Sequence, residues 1–116
     1  MNSAYRLQKN RDFQRIYRRG KSLSTPFMVM IWTNAPKNEI KIGFSVSKKV
    51  GKAVVRNRAR RRIREAVRVR IPEIVPGHRL IFVARPAVRD ASFQEITSSV
   101  DRLLRQADLI KGDESV

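Results

Sequence analysis

The chain has 116 residues, a formal net charge of +16 and no cysteine. This length fits a single domain over residues 1–116, and 41% hydrophobic residues suffice for a modest core. The lack of cysteine excludes disulfides and thiolate metal sites, and no apolar run approaches the ~18 residues that a membrane span needs. We therefore expect a cytoplasmic protein without a membrane partner, whose excess positive charge meets a polyanion.

The first part of the chain predicts one helix followed by two strands. The helix covers about residues 11–19, between a cap at Asn10 and a stop at Gly20. Strand formers fill residues 27–33, and apolar and polar residues alternate over 40–47. The turn residues between these two segments predict an antiparallel hairpin.

The rest of the chain predicts a helix, a strand and a last helix. In the helix over about residues 53–70, an apolar stripe is formed by Val55, Ala59, Ile63, Ala66 and Val67. Residues 80–84 predict an uncharged central strand, and residues 92–95 match a capping box that begins the last helix. We expect residues 109–116 to be a flexible tail. The predicted fold class is α+β, a two-layer sandwich of approximate order α-β-β-(β)-α-β-α, whose extra strand would come from a subdivision of 27–47.

The positive charge is concentrated in one part of the chain. Residues 41–70 contain twelve Lys and Arg and one acid, Glu65, whereas residues 71–116 are slightly acidic. Arginines that recur at i, i+4 along the predicted helix repel one another, and acids that would offset them are nearly absent. Because arginine binds phosphate bidentately and stacks on bases, we favour a nucleic acid over the alternative of a solvated helix face.

No residue pattern indicates catalysis by this chain. The single histidine, His78, follows Pro76 and Gly77, and we interpret it as a solvated loop residue. The ten acids show no spacing typical of a two-carboxylate or two-metal site, and no phosphate-binding glycine motif is present. Ser45 and Ser47 have no histidine to activate a hydroxyl. We therefore predict no catalytic residues and no metal ligands, and we expect another molecule to supply any chemistry.

Several side chains are candidates for contacts with nucleic acid. Asn57 lies between two arginines, and its amide can reach a base edge or a 2′-hydroxyl. Phe13 and Tyr17 lie one turn apart among four arginines, either in the core or exposed for stacking on single-stranded bases. Met30 and Trp32 share one face of their strand, so they too either join the core or floor an open cleft.

One long segment is similar to a known signature. The sequence GFSVSKKVGKAVVRNRARRRIREAVR at residues 43–68 resembles the signature of the protein subunit of bacterial ribonuclease P. Residues 7–13 are similar to the start of the first helix of that family, and residues 80–86 resemble its last strand. The resemblance covers about residues 5–105, nearly the whole chain.

The resemblance implies a function that composition alone does not give. In that family an RNA subunit hydrolyses the phosphodiester at the 5′ end of mature tRNA with Mg²⁺, so the chain would be an endoribonuclease only as part of the holoenzyme. Its partners would be ribonuclease P RNA and precursor tRNA, with no obligate protein partner and no protein ligand assigned to Mg²⁺. The resemblance also implies a left-handed crossover around the basic helix, against the usual right-handed one.

Two groups of binding residues follow from the resemblance. The surface that would bind the RNA subunit consists of Arg56, Asn57, Arg58, Arg60, Arg61, Arg64 and Arg68. The cleft between the first helix and the sheet, which would hold the single-stranded 5′ leader, consists of Phe13, Tyr17, Met30, Trp32, Ser45, Lys48 and Lys49. The family often has an aromatic residue at the position of Met30, and Trp32 would replace it from the same strand face.

Two other functions are alternatives. A structural rRNA-binding protein of ribosomal type has the same size and charge, but it does not explain the cleft aromatics or the long segment of similarity. A DNA-binding architectural protein would place the basic helix in a major groove, although a strand rather than a second helix precedes that helix. Cleavage of precursor tRNA that requires an added RNA would distinguish the ribonuclease P function from both.

Overall fold

The computed structural model describes residues 3–36 and 38–111. Its helices are α1 (Asn10–Arg19), α2 (Ala53–Arg68) and α3 (Phe93–Gln106), and its strands are β1 (Lys21–Ser24), β2 (Met28–Asn34), β3 (Ile40–Ser45) and β4 (His78–Ala84). Short 3₁₀ turns lie at Ser3–Tyr5, Ile71–Glu73 and Pro86–Asp90. The strands form a sheet in the order β1-β2-β4-β3, and the predicted α+β class is confirmed.

The predicted hairpin between β2 and β3 is wrong. β4 lies between them, antiparallel to β2 and parallel to β3. The central position suits β4 because its residues 80–82 are fully buried, so both of its faces need cover. β3 takes an edge, where Lys41 is partly exposed. The additional strand is β1 at residues 21–24, a short polar segment rather than a subdivision of 27–47.

The two faces of the sheet carry different helices. On one face α2 and α3 cover Met30, Ile42 and Phe82 in the main core. On the other face α1 places Ile16 in a smaller cluster with Ile81. Alternating side chains of β4 therefore supply both clusters, and the sheet has α1 behind it in addition to the two helices in front.

The two helices in front of the sheet begin differently. The buried residues of α2 are Ala59, Ile63, Ala66 and Val67, the centre of the predicted stripe. Lys52 at its N-cap makes no side-chain hydrogen bond, whereas Ser92 and Glu95 form the predicted capping box at the start of α3. α2 ends at Arg68, earlier than predicted, because the chain turns into a 3₁₀ segment that contains Pro72.

The segment after α3 is anchored as far as residue 111, contrary to the prediction of a flexible tail. Leu109 is 2% exposed, and its carbonyl accepts a hydrogen bond from the Val75 N–H at 2.8 Å. The Lys111 N–H donates to the Glu73 carbonyl at 2.7 Å. Two apolar side chains, Leu109 and Ile110, therefore attach this segment to the body of the protein. The rest of the predicted tail, 112–116, lies outside the described residues.

The crossover from β3 through α2 to β4 is left-handed. With α2 towards the viewer and β3 running upward, Ile42 points towards the viewer into the main core. An L-residue in this orientation directs its N–H and C=O to the viewer's right, because its Cα–H bond points left. The Ile42 carbonyl accepts a hydrogen bond from the Leu7 N–H at 2.9 Å, so residues 6–7 lie on the right and β4 lies on the left. This confirms the handedness that the resemblance implied.

Candidate nucleic-acid interface

The outer side of α2 carries a surface that we call the arginine face. Its members are Arg56, Asn57, Arg58, Arg60, Arg61, Arg64 and Arg68. Asn57, Arg58, Arg61 and Arg68 are exposed, and the other three are partly buried along the flanks of the helix. The buried apolar stripe on the opposite side of α2 turns the arginine face towards solvent.

Two flanking arginines are positioned by uncharged partners. Arg56 Nε donates to the Gly51 carbonyl at 3.2 Å. Arg60 Nη1 donates to Asn57 Oδ1 at 3.2 Å. Because neither partner is an acid, these hydrogen bonds orient the guanidinium groups without neutralising their charge.

Arg64 connects the arginine face to the edge of the sheet. Its guanidinium lies 6.0 Å from the centroid of the Phe44 ring, and Phe44 stacks on Phe82 with ring centroids 6.1 Å apart. A groove of about 230 Å³ opens here, with Arg60 and Arg64 from α2 and Phe13 from α1 in its lining. The arginine face and an aromatic residue of α1 therefore border the same groove at the β3 edge.

One carboxylate pairs with the arginine face within the described residues. Glu65 accepts hydrogen bonds from Arg68 Nε at 3.0 Å and Arg68 Nη2 at 2.6 Å, and these hold the pKa of the Glu65 carboxyl below its usual value. Arg58 and Arg61 form no ion pair with any residue in 3–36 or 38–111. The centre of the arginine face is therefore not masked by acids of the described chain.

Phe13 and Tyr17 lie one turn apart on α1, with different degrees of exposure. A Cβ on Gly43 would lie 2.5 Å from the Phe13 ring, so glycine lets α1 approach β3 this closely without a shift of that ring. Tyr17 is 43% exposed. Phe13 is thus a partly buried packing residue as well as a candidate contact, while the ring of Tyr17 is open for stacking on a base.

Met30 and Trp32 do not lie on the side of the sheet that α1 covers. Met30 is fully buried, and both residues pack in the main core under α2 and α3. The placement of Met30 in the cleft is therefore wrong. Because side chains alternate along β2, Val29 and Ile31 lie on the side of the sheet that α1 covers. Trp32 contributes to that side only as part of the wall of a pocket, next to Lys21.

The other predicted cleft residues lie at and after the end of β3. Ser45 pairs in register with Val83 of β4, which pairs with Val29 of β2, and all three are partly exposed. We call this row, which lies on the α1 side of the sheet, the open row. Lys48 and Lys49 are exposed in the turn between β3 and α2. The two valines of the open row were missed by sequence reasoning, which had assigned the opposite strand face.

A charged network anchors the start of α1 to the sheet. Arg79 Nε of β4 donates to Glu39 Oε2 at 2.5 Å, and Arg79 Nη1 lies 3.6 Å from Asp12 Oδ1. The hydrogen bond from Arg79 holds the pKa of Glu39 below its usual value. This network fixes α1 relative to β4, and therefore positions the aromatic residues of α1 beside the sheet.

His78 is not the solvated loop residue that the sequence predicted. It is the first residue of β4, is partly buried, and its Nδ1 lies 2.9 Å from the Val75 carbonyl oxygen. Within residues 3–36 and 38–111, no three His, Cys, Asp or Glu side chains come together in a group that could hold a metal ion. The same ranges contain no helix with the length and hydropathy to cross a membrane.

Comparisons with known proteins agree with the resemblance in the sequence. The family model described as Ribonuclease P matches residues 1–108. The chain belongs to the ribonuclease P protein family. One relative is the ribonuclease P protein component of Clostridioides difficile, which is 41% identical over 89% of this chain and 91% of that protein.

Solved structures of ribonuclease P proteins share the fold. The Staphylococcus aureus protein matches with a TM-score of 0.84 at 36% identity, over 94% of this chain and 100% of that chain. The Thermotoga maritima protein matches with a TM-score of 0.79 at 28% identity, over 87% of this chain and 96% of that chain. The function is that of a bacterial ribonuclease P protein subunit in tRNA processing, and the ribosomal alternative is not favoured.

Proposed function

We propose that the arginine face binds ribonuclease P RNA near its catalytic centre. The observation that carries the proposal is the lack of an acid partner for Arg58 and Arg61 among the described residues. Unpaired guanidinium groups on one helix repel each other, and RNA phosphates relieve that repulsion while releasing counterions. The side-chain NH₂ of Asn57, whose Oδ1 accepts from Arg60, adds a donor that can reach a 2′-hydroxyl, which distinguishes RNA from DNA.

The 5′ leader of precursor tRNA would lie along the α1 side of the sheet. A single-stranded leader has unstacked bases, and the exposed ring of Tyr17 offers a face on which one of them can stack. The open row next to α1 leaves space for the single-stranded leader, and Lys48 and Lys49 supply positive charge for the leader's phosphates. The groove that Phe13 shares with Arg64 brings the leader close to the RNA subunit.

Bond cleavage would belong to the RNA subunit, which uses Mg²⁺ for hydrolysis of the phosphodiester. We assign no ligand for this ion to the chain, whose described acids form no metal-binding group. The contribution of the chain is positive charge, because neutralised RNA phosphates need fewer cations from solution. We place this holoenzyme in the cytoplasm, where precursor tRNA is its substrate and no obligate protein partner is required.

Reconstitution at low Mg²⁺ tests this proposal. Cleavage of precursor tRNA by a bacterial ribonuclease P RNA is measured with wild-type protein, with Arg58→Ala, and with Arg102→Ala, an exposed arginine on α3, as the control. We expect wild type and the control to support cleavage, and Arg58→Ala to support it less, with a difference that shrinks as Mg²⁺ is raised. Unchanged cleavage with Arg58→Ala, or RNA-free cleavage that survives rigorous nuclease removal, would refute the proposal.

A further inference from the structure

A second basic surface lies on the side of α1 that faces away from the aromatic residues. Arg15 lies two positions after Phe13, which is about 200° around the helix. A pocket of about 640 Å³ opens on this side. Its lining includes Asp12, Arg15, Arg19, Lys21 and Arg79. We call it the basic pocket.

The charge of the basic pocket is only partly neutralised by the protein. Arg79 is paired with Glu39 and Asp12, so the carboxylate in the lining is already engaged. Arg15, Arg19 and Lys21 are exposed, and none of them forms an ion pair with a residue in 3–36 or 38–111. Three cations of the basic pocket therefore face one cavity without an acid partner in the described part of the chain.

The end of α1 explains only one of these three cations. Arg19 lies in the last turn, where a positive charge is favourable next to the free carbonyl groups of the helix. Arg15 lies outside that turn and repels Arg19 at i, i+4, and Lys21 belongs to β1. The cluster as a whole suits an external anion.

We propose that the basic pocket binds phosphates of the 5′ leader, in the part of the leader that lies beyond its crossing of α1. This inference rests on the proposed function, in which the leader starts on the aromatic side of the same helix. An α-helix with its side chains is ~10–12 Å thick, so no more than about four nucleotides are needed to span it, since an unstacked strand extends further per nucleotide than the ~3.4 Å of a stacked one. The arginine face of α2 lies on the opposite face of the sheet, and the leader is therefore the RNA segment closest to the basic pocket.

A pair of matched double variants tests the inference. Arg15→Gln/Lys21→Gln removes two charges from the basic pocket and keeps Arg19 for the helix end. Arg102→Gln/Lys111→Gln removes two charges at exposed positions on and after α3, and serves as the control. Binding to the reconstituted holoenzyme is measured for mature tRNA and for two precursors. The first precursor has a short leader that is only long enough to reach Tyr17, and the second has a leader longer by about ten nucleotides. Thermal unfolding of each protein checks that the substitutions leave the fold intact.

We expect wild type and the control to bind the long-leader precursor more tightly than the short one. Arg15→Gln/Lys21→Gln should lose about tenfold in affinity for the long leader, with a salt slope lower by about 1.4, and bind the short leader as wild type does. If Arg15→Gln/Lys21→Gln still binds the long-leader precursor more tightly than the short-leader one by as much as wild type does, the inference is wrong. An equal loss on mature tRNA and both precursors would also overturn it, because the pocket would then contact the RNA subunit. If wild type gains nothing from either leader, the proposed function itself fails.

Discussion

α2 and α3 pack on the same face of the sheet, but their outer surfaces differ in how charge is handled. α3 begins with a capping box, and its Asp101 pairs with Arg70 and Arg105. α2 has no side-chain cap and no acid in its first turn, and one acid, Glu65, pairs with its arginine face within the described residues. On α3, acids of the chain pair with nearby arginines, whereas α2 carries unpaired charge that the RNA of the proposed function would neutralise. The stability of α2 therefore depends on its buried side.

Truncation of that buried side should have the largest effect. Ile63 is 1% exposed in α2, and Ile63→Ala should cost about 2–5 kcal/mol of unfolding free energy. Because α2 has no cap to hold its first turn, we expect RNA affinity to fall together with stability. Ile96→Ala in α3 should cost a similar free energy, and under conditions where it is folded it should leave RNA affinity unchanged. Urea unfolding and RNA binding are measured for both variants. A destabilised Ile63→Ala protein that binds RNA with wild-type affinity would contradict this difference between α2 and α3.

Loss of the exposed aromatic on α1 separates stacking from charge. Tyr17→Ala should weaken binding of precursor tRNA by about 1–3 kcal/mol, without a change in its salt dependence. Binding of mature tRNA should stay the same, since it has no leader. Phe93 on α3 is 41% exposed, close to the 43% of Tyr17, so Phe93→Ala is a matched control. Equal losses for the two variants would show that Tyr17 has no specific role.

A side-chain cap added to the start of α2 should stabilise the protein and weaken its binding to RNA. Lys52 has the extended backbone of an N-cap residue, with φ −64° and ψ 167°. An aspartate there accepts a hydrogen bond from the first turn and interacts favourably with the helix dipole, so Lys52→Asp should stabilise the protein by about 1 kcal/mol. It should also weaken RNA binding, because it adds a negative charge beside the arginine face. Lys52→Ala gives the effect of charge removal alone, and tighter RNA binding by Lys52→Asp would contradict the comparison.

The ion pair that anchors α1 should have a small, pH-dependent effect. Arg79 lowers the pKa of Glu39 in the folded state from its ordinary 4.5, so the pair stabilises the protein above that pH. The stabilisation is lost as the pH falls through the lowered pKa. Glu39→Gln should therefore cost less than about 1 kcal/mol at pH 7, and nothing once the wild-type carboxyl is protonated. Urea unfolding of both proteins at neutral and strongly acid pH measures this, and an undiminished difference in acid would be inconsistent with it.

Features set by local sequence were predictable. The stripe around Ile63 and the capping box of Ser92 follow from spacing alone, and both are observed. An arginine-rich outer side of α2 was predictable in the same way, since a helix with one apolar stripe turns its other residues outward, whereas the members of the arginine face came from the resemblance. The resemblance to the family supplied the left-handed crossover, which the usual preference would have assigned wrongly.

Features set by long-range pairing were not predictable. β2 and β3 are separated by a short turn, but β2 pairs with β4, more than 40 residues further along the chain. The assignment of Met30 failed because β2 is apolar on both faces, and only the position of α1 shows which face is open. The anchoring of Leu109 depends on Val75, a partner that no local pattern indicates.

The salt dependence of binding to ribonuclease P RNA tests the role of the arginine face most directly. Affinity is measured over a range of salt for wild type, for Arg58→Ala/Arg61→Ala, and for Arg102→Ala/Lys111→Ala as the charge-matched control. If the two α2 arginines each contact a phosphate, the slope of log K against log salt should be shallower by about 1.4–1.8 in the first variant and unchanged in the control. Equal slopes and affinities for all three proteins would contradict an RNA-binding role for the arginine face of α2.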